Sequence, residues 1–221
     1  MMKLKRILWC FLSGCCIFFS SGLFAEELCQ KLESIWNQVT SYQGTYHSIT
    51  FYNKRKSETR MLYRYQKPKK IRMDIQTPNS GAVLIYNPAL SEEVRVRPFP
   101  RLPFLVINYA LNHPKVISDS GGTVDKSHLS ERIKSFCTDL AALGETERQE
   151  ITALFNAEDE LTFLLPHQRN EKTMIRRWTF DADFLPRKVE LLGENDIVLE
   201  AFEWSNLMIN PIFNPKIFKA F

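Results

Sequence analysis

The stretch Tyr63–Arg97, YRYQKPKKIRMDIQTPNSGAVLIYNPALSEEVRVR, decides the fold. From Lys70 to Gln76 it alternates: Ile71, Met73 and Ile75 fall on one side, Arg72, Asp74 and Gln76 on the other. A period of two is the signature of a strand with one face buried. Upstream, Glu58–Tyr65 puts Met61, Tyr63 and Tyr65 on one face and Arg60 and Arg64 opposite. Downstream, Ala82–Tyr86 is more continuously apolar, and Val94-Arg95-Val96-Arg97 alternates again. The separators are Lys67-Pro68, Pro78-Asn79-Ser80-Gly81 and Asn87-Pro88, all turn formers. Strands joined by such short turns are antiparallel neighbours. One apolar and one charged face per strand gives a sheet that is greasy on one side only.

Working outward, Tyr42–Asn53 is rich in β-branched and aromatic residues and predicts a further strand. Before it, Leu28, Leu32, Ile35, Trp36 and Val39 recur at helical spacing, which predicts an amphipathic helix over Glu26–Thr40. After the quoted stretch, prolines bracket Phe104–Leu111, a segment apolar nearly all round. As a helix it would need cover on more than one side and would lie across the greasy face of the sheet; a buried strand is the alternative. Phe104, Leu105, Ile107 and Leu111 are therefore the candidate lid. Leu129, Ile133, Phe136, Cys137 and Leu140 predict a second helix, with Ser127 as N-cap and Gly144 beyond its end. Strands are expected over Glu150–Ala157, Glu160–Leu165, Met174–Asp181, Arg187–Leu192 and Ile197–Asn206, then an extended, proline-punctuated tail. No repeat or linker interrupts the pattern.

The first residues read as an export signal: Lys3, Lys5 and Arg6, then an apolar run from Ile7 to Phe19, with cleavage expected after Ala25. The rival reading is a lipobox, Leu12-Ser13-Gly14-Cys15, in which Cys15 becomes a lipidated N-terminus. Residues 1–25 thus form the signal peptide and 26–221 a single domain. The signal holds three of the 29 Lys and Arg, so 26 remain against 25 acids, and the basic excess that would support nucleic-acid binding vanishes. Of five cysteines, Cys29 and Cys137 remain. An exported compartment permits a disulfide between them; two buried thiols is the other reading.

The chemistry of catalysis is missing from the sequence. His47, His113, His128 and His167 form no HExxH or HxH, and there is no GxSxG, P-loop or GxGxxG. Asp181-x-Asp183 reads as a turn, not an ion site. No cofactor, no metal and no enzymatic activity are expected. A one-sided sheet with helices that do not fill the space beneath them leaves a lined cavity, and Met and aromatic walls suit flexible acyl chains. Burying a sixteen-carbon chain at about 0.8 kcal/mol per methylene would yield roughly 12 kcal/mol gross. A carrier must give most of this back, and a lid competing for the same surface would do so.

The phrases SYQGTY, YQKPKKIRMDIQTP, GAVLIYNP, VRVRPF, GGTVDKS, FDADFLPRKVELL and LMINPIFNPKIF together resemble the LolA-like outer-membrane lipoprotein carriers over most of the chain after the signal. The resemblance implies a mainly β fold with α: an unclosed antiparallel β-barrel with covering helices over a hydrophobic cavity. It implies a monomeric periplasmic protein that takes acylated lipoproteins from an inner-membrane ABC transporter to an outer-membrane acceptor. The expected cavity lining is Met61, Tyr63, Tyr65, Ile71, Met73, Ile75, Val94 and Val96. Where the best-known carriers have an Arg-Pro pair whose arginine latches the lid, this chain has Lys67-Pro68, so Lys67 is the candidate latch, without the planar fork of arginine. The alternatives are a lipid-anchored receptor or envelope-stress sensor of the same fold, lipidated at Cys15, and a carrier of another amphiphilic lipid. Arg60, Arg64, Lys67, Lys69, Lys70, Arg72, Arg95 and Arg97 read either as a solvated outer face or as contacts to an acidic partner or lipid headgroups.

Overall fold

The computed structural model describes residues 21–52, 55–118, 121–144, 154–155, 160–169, 172–219 and 221. The candidate lipobox cysteine, Cys15, lies outside these residues, as does most of the strand expected over Glu150–Ala157. Helix α1 (Ser21–Gln38) leads into strands β1 (Ser41–Tyr52), β2 (Arg55–Gln66), β3 (Lys70–Thr77), β4 (Val83–Asn87), β5 (Ser91–Arg97) and β6 (Ile107–Tyr109). Helix α2 (Leu129–Ala141) follows, then β7 (Leu154–Phe155), β8 (Leu161–Arg169), β9 (Lys172–Phe180), β10 (Pro186–Leu192) and β11 (Val198–Ile209).

All the described strands form one antiparallel sheet in the order β6-β5-β4-β3-β2-β1-β11-β10-β9-β8-β7. It is two meanders joined through the β1–β11 pair, Tyr42 opposite Ile209. The two edges, β6 and β7, do not meet, so the sheet stays an open half-barrel with helices.

Both helices pack on the inner face. Leu28, Leu32 and Trp36 of α1 and Leu129, Ile133, Phe136 and Leu140 of α2 share one buried cluster with the inward strand residues. Rings dominate it: Tyr42 stacks on Tyr63 and Tyr65, and Phe136 meets Phe163, Trp178 and Phe180 edge-on. Cys29 of α1 and Cys137 of α2 form a disulfide with their Cα atoms 5.7 Å apart. The N-cap of α2 is His128, not Ser127. Ser127 instead turns its hydroxyl to the Val124 carbonyl (2.6 Å) and to the Tyr63 hydroxyl (2.8 Å).

The outer face holds a second, smaller core. A 3-10 turn at Pro215–Phe218 lies against β3 and β4, and Phe218 is 1% exposed. Arg72 donates to the Ile217 carbonyl (3.0 Å), Asn87 to that of Phe218 (3.2 Å) and Arg95 to that of Lys219 (2.7 Å). Arg95 and Arg97 face the Phe221 ring. Arg64 and Arg72 both bond Asp74. Part of the basic outer face is therefore neither solvated nor open to a partner: its arginines bind the chain's own tail.

Candidate ligand cavity

The register of the sheet sorts the inward side chains into transverse rows. Tyr65, Ile71, Tyr86, Val94 and Tyr109 stand opposite one another across β2 to β6. Two residues along each strand comes the row Tyr63, Met73, Leu84, Val96 and Ile107. Another step brings Met61 and Ile75. The half built from β8–β11 contributes Trp178, Val189 and Phe202 as one row and Arg176, Leu191 and Glu200 as the next. Each row has the same facing because side chains repeat every two residues.

The second and later rows, with Tyr109 from the end of the first, line a cavity of about 1100 Å³. That is at the upper end of small-molecule pockets, roughly 300–1,000 Å³. Of the eight residues expected to line it, Met61, Tyr63, Met73, Ile75 and Val96 do. Tyr65, Ile71 and Val94 do not. They are in the first row, where the helices cover the sheet: Ile71 and Val94 are fully buried, and Tyr65 packs between Tyr42 and His128. Alternation gives the correct face for all eight, but the helices occupy one end of that face.

The lid segment is also corrected. Phe104–Leu111 is not a helix: Phe104 is 81% exposed, Leu105 is half-buried in a turn, and Ile107–Tyr109 is edge strand β6 on β5. The free edge of β5 offers ladder partners, and Ile107–Tyr109 takes them opposite Val94–Val96. Ile107 thus extends the wall, and Leu111 packs at the margin of the core. Pro98, Phe99 and Pro100 form part of the rim, where Gly81, at φ +87°, closes the β3–β4 turn against Pro100. A Cβ there would come within 2.8 Å of the Pro100 ring.

Lys67 sits at the β2–β3 corner and its Nζ donates to the carbonyls of Asn37 (2.8 Å) and Trp36 (3.3 Å). It ties the corner to the C-terminal end of α1, where a cation meets the negative pole of the helix; its hydrogen bonds go to α1 and not to the Phe104–Leu111 segment expected as the lid. Lys67→Met is expected to lower stability by about 1 kcal/mol in urea unfolding. An unchanged midpoint would mean the contact contributes nothing.

The alternation of β9 and β11 also brings charge inside. Arg176 donates to Asp139 (2.6 Å), Ser135 (3.1 Å) and Nε2 of His167 (2.6 Å), and burial pulls its pKa down. Because an arginine cannot accept, Nε2 of His167 is the acceptor and Nδ1 carries the proton toward Asp139. Glu131, Arg132 and Glu200 line the same end. Sequence reasoning missed these groups, although Met174, Arg176, Trp178 and Phe180 share one face of β9 in the primary structure. Asp181 and Asp183 form a turn: Oδ1 of Asp181 accepts from the amides of Asp183 and Leu185.

His128 lies under the helices with 4% exposure, against the Tyr65 ring, with Nδ1 on the Ser130 hydroxyl (2.6 Å) and Nε2 unpartnered. Burial pushes its pKa down from 6.5 to about 4. The unfolded chain therefore binds a proton there that the folded chain refuses, so stability is complete above pH 6.5 and declines as pH falls toward 4. The loss between pH 6.5 and 4.5 should reach about 2–3 kcal/mol. Carboxylates such as Glu131, held low chiefly by its hydrogen bond from Lys134, contribute only below that window. His128→Gln should flatten the slope of unfolding free energy between pH 4.5 and 6.5; an unaltered slope would assign it elsewhere.

No protein-family model matches the sequence, and no curated protein does. Solved structures similar to the chain include an uncharacterised conserved protein from Thermus thermophilus, at 12% identity and TM-score 0.47 over 89% of this chain and 93% of the other. They include LolA-superfamily proteins. The one from Nitrosomonas europaea has 11% identity and TM-score 0.37 over 88% and 96% of the two chains. The Pseudomonas aeruginosa MucA/MucB complex gives 15% identity and TM-score 0.43 over 89% of this chain and 60% of that one. With every one of these scores below 0.5, function has to be argued from this chain's own cavity.

Proposed function

We propose that the protein binds the acyl chains of lipoproteins in this cavity and carries them through the periplasm from an inner-membrane transporter to an outer-membrane acceptor, by binding and not by catalysis. The observation that carries the reading is the cavity of about 1100 Å³ with one continuous apolar wall, Tyr63-Met73-Leu84-Val96-Ile107, running across five strands. Side chains with soft or branched tips adapt to an acyl chain of variable path. The half-barrel is not closed: its edge strands β6 and β7 do not pair with each other. The resemblance of the sequence phrases to lipoprotein carriers supports lipoprotein as cargo.

The test is native mass spectrometry of the protein mixed with a palmitoylated lipopeptide, with the same unacylated peptide as control. A one-to-one complex with the acylated form alone is expected. Protein that stays empty at micromolar lipopeptide would overturn the proposal. Intact mass of the N-terminal peptide separates a soluble carrier from a receptor anchored through Cys15.

A further inference from the structure

We infer that the polar end of the cavity receives an anionic, phosphate-type headgroup, so that the cavity also takes acidic lipids, with Arg132 as the headgroup's ligand. This rests on the acyl-binding reading of the cavity and adds a preference to it.

Arg132, on the first turn of α2, lines the cavity, and its guanidinium lies 4.8 Å from the centre of the Phe202 ring. It stands beside the Tyr46 hydroxyl, close enough to favour that group's ionised form against the larger opposing effect of burial. Its Nε is buried without a hydrogen-bond partner, and among the described residues no carboxylate lies within 4 Å of it. The neighbouring charges are already engaged: Arg176 by Asp139 at 2.6 Å, Glu131 by Lys134 at 2.9 Å, and Glu200 by an interaction of its own. The guanidinium is half-buried and lines the cavity with no carboxylate of the described residues against it, although Nε itself is sealed. A phosphate oxygen supplies the missing counter-charge, because the planar fork matches its geometry and the bond is charge-assisted. Lys115 and Lys126, exposed at the rim, add positive potential on the way in. An acyl lipid bearing a phosphate satisfies both halves at once: its chain meets the Met73–Val96 wall and its headgroup meets Arg132.

The experiment measures displacement of a bound fluorescent fatty chain by matched pairs: dodecyl phosphate against dodecyl glucoside, and phosphatidylglycerol against phosphatidylcholine of equal chain length. Inorganic phosphate and the palmitoylated lipopeptide complete the set. The wild type should favour the anionic member of each pair roughly tenfold. Arg132→Gln should erase that preference within each pair, and Arg132→Lys should restore part of it. Equal binding within the pairs, or a preference that survives Arg132→Gln, would overturn the inference while the acyl-binding reading stands on the lipopeptide. Displacement by inorganic phosphate alone would also overturn it, as a free-anion site. If no acylated compound binds, the carrier reading falls and takes the inference with it.

Discussion

Replacing Cys29 and Cys137 together by alanine lowers the unfolding free energy by about 4 kcal/mol, seen as a lower urea midpoint. The bond spans 108 residues of sequence. In the chain-entropy description, closing a loop of about 100 residues restrains the unfolded chain by roughly 4.7 kcal/mol, and loss of native disulfides is generally worth about 2–5. The slope of free energy against urea should rise slightly, because the uncrosslinked unfolded chain exposes more surface. The folded state should persist without denaturant, since Leu28, Leu32 and Trp36 still hold α1 on the sheet. A change below about 1 kcal/mol would mean that the denatured chain is already compact around these two helices.

Paired substitution of Leu84→Trp and Val96→Trp should abolish uptake of the palmitoylated lipopeptide while leaving the protein folded. The two side chains oppose each other on β4 and β5, half-buried, in the middle of the apolar wall. Both pack on the margin of the core and also line the cavity, so enlargement has empty space to fill. Each methylene denied burial loses about 0.8 kcal/mol, so excluding four of them weakens binding roughly 200-fold. Uptake at wild-type strength by a variant of native circular dichroism would place the acyl chain elsewhere and remove the cavity from the mechanism.

Much of this site is legible in the primary structure, and the reasons are specific. Ile71, Met73 and Ile75 share a face because a strand admits no other period, and that face is the inner one. Which of these residues meets ligand and which meets helix is not legible. Ile71 and Met73 are equivalent by pattern, yet one is sealed under the helices and the other opens on the cavity. The polar end was readable in part. Arg176 between Met174 and Trp178, and Glu200 two residues before Phe202, are charges set in the greasy row of their strands. Such a charge is expensive to bury unless paired, which marks it as a site. Arg132 gives no such sign, because on a helix its neighbours at three and four residues, not its strand alternation, decide where it points.

The segment Phe104–Leu111 shows the opposite limit. An apolar run of eight residues fits a covering helix or a buried strand equally, and the outcome depended on a free edge of β5 that exists only once the sheet has assembled. The outer arginines behave alike: Arg72, Arg95 and Arg97 are an outward charged row by pattern, but their use as a seat for the tail depends on where Pro215–Phe218 returns.

The sequence by itself determined an antiparallel sheet with one greasy face, two amphipathic helices to cover it, and a pair of cysteines able to join those helices. These follow from local periodicity and turn chemistry, which act between residues close in the chain. Only the tertiary structure decided that the sheet stays open between β6 and β7, that the helices cover one end of it and leave the other hollow, and that Arg132 lines that hollow. Those outcomes depend on contacts between residues far apart in the chain, where packing geometry, and not local pattern, selects the neighbour.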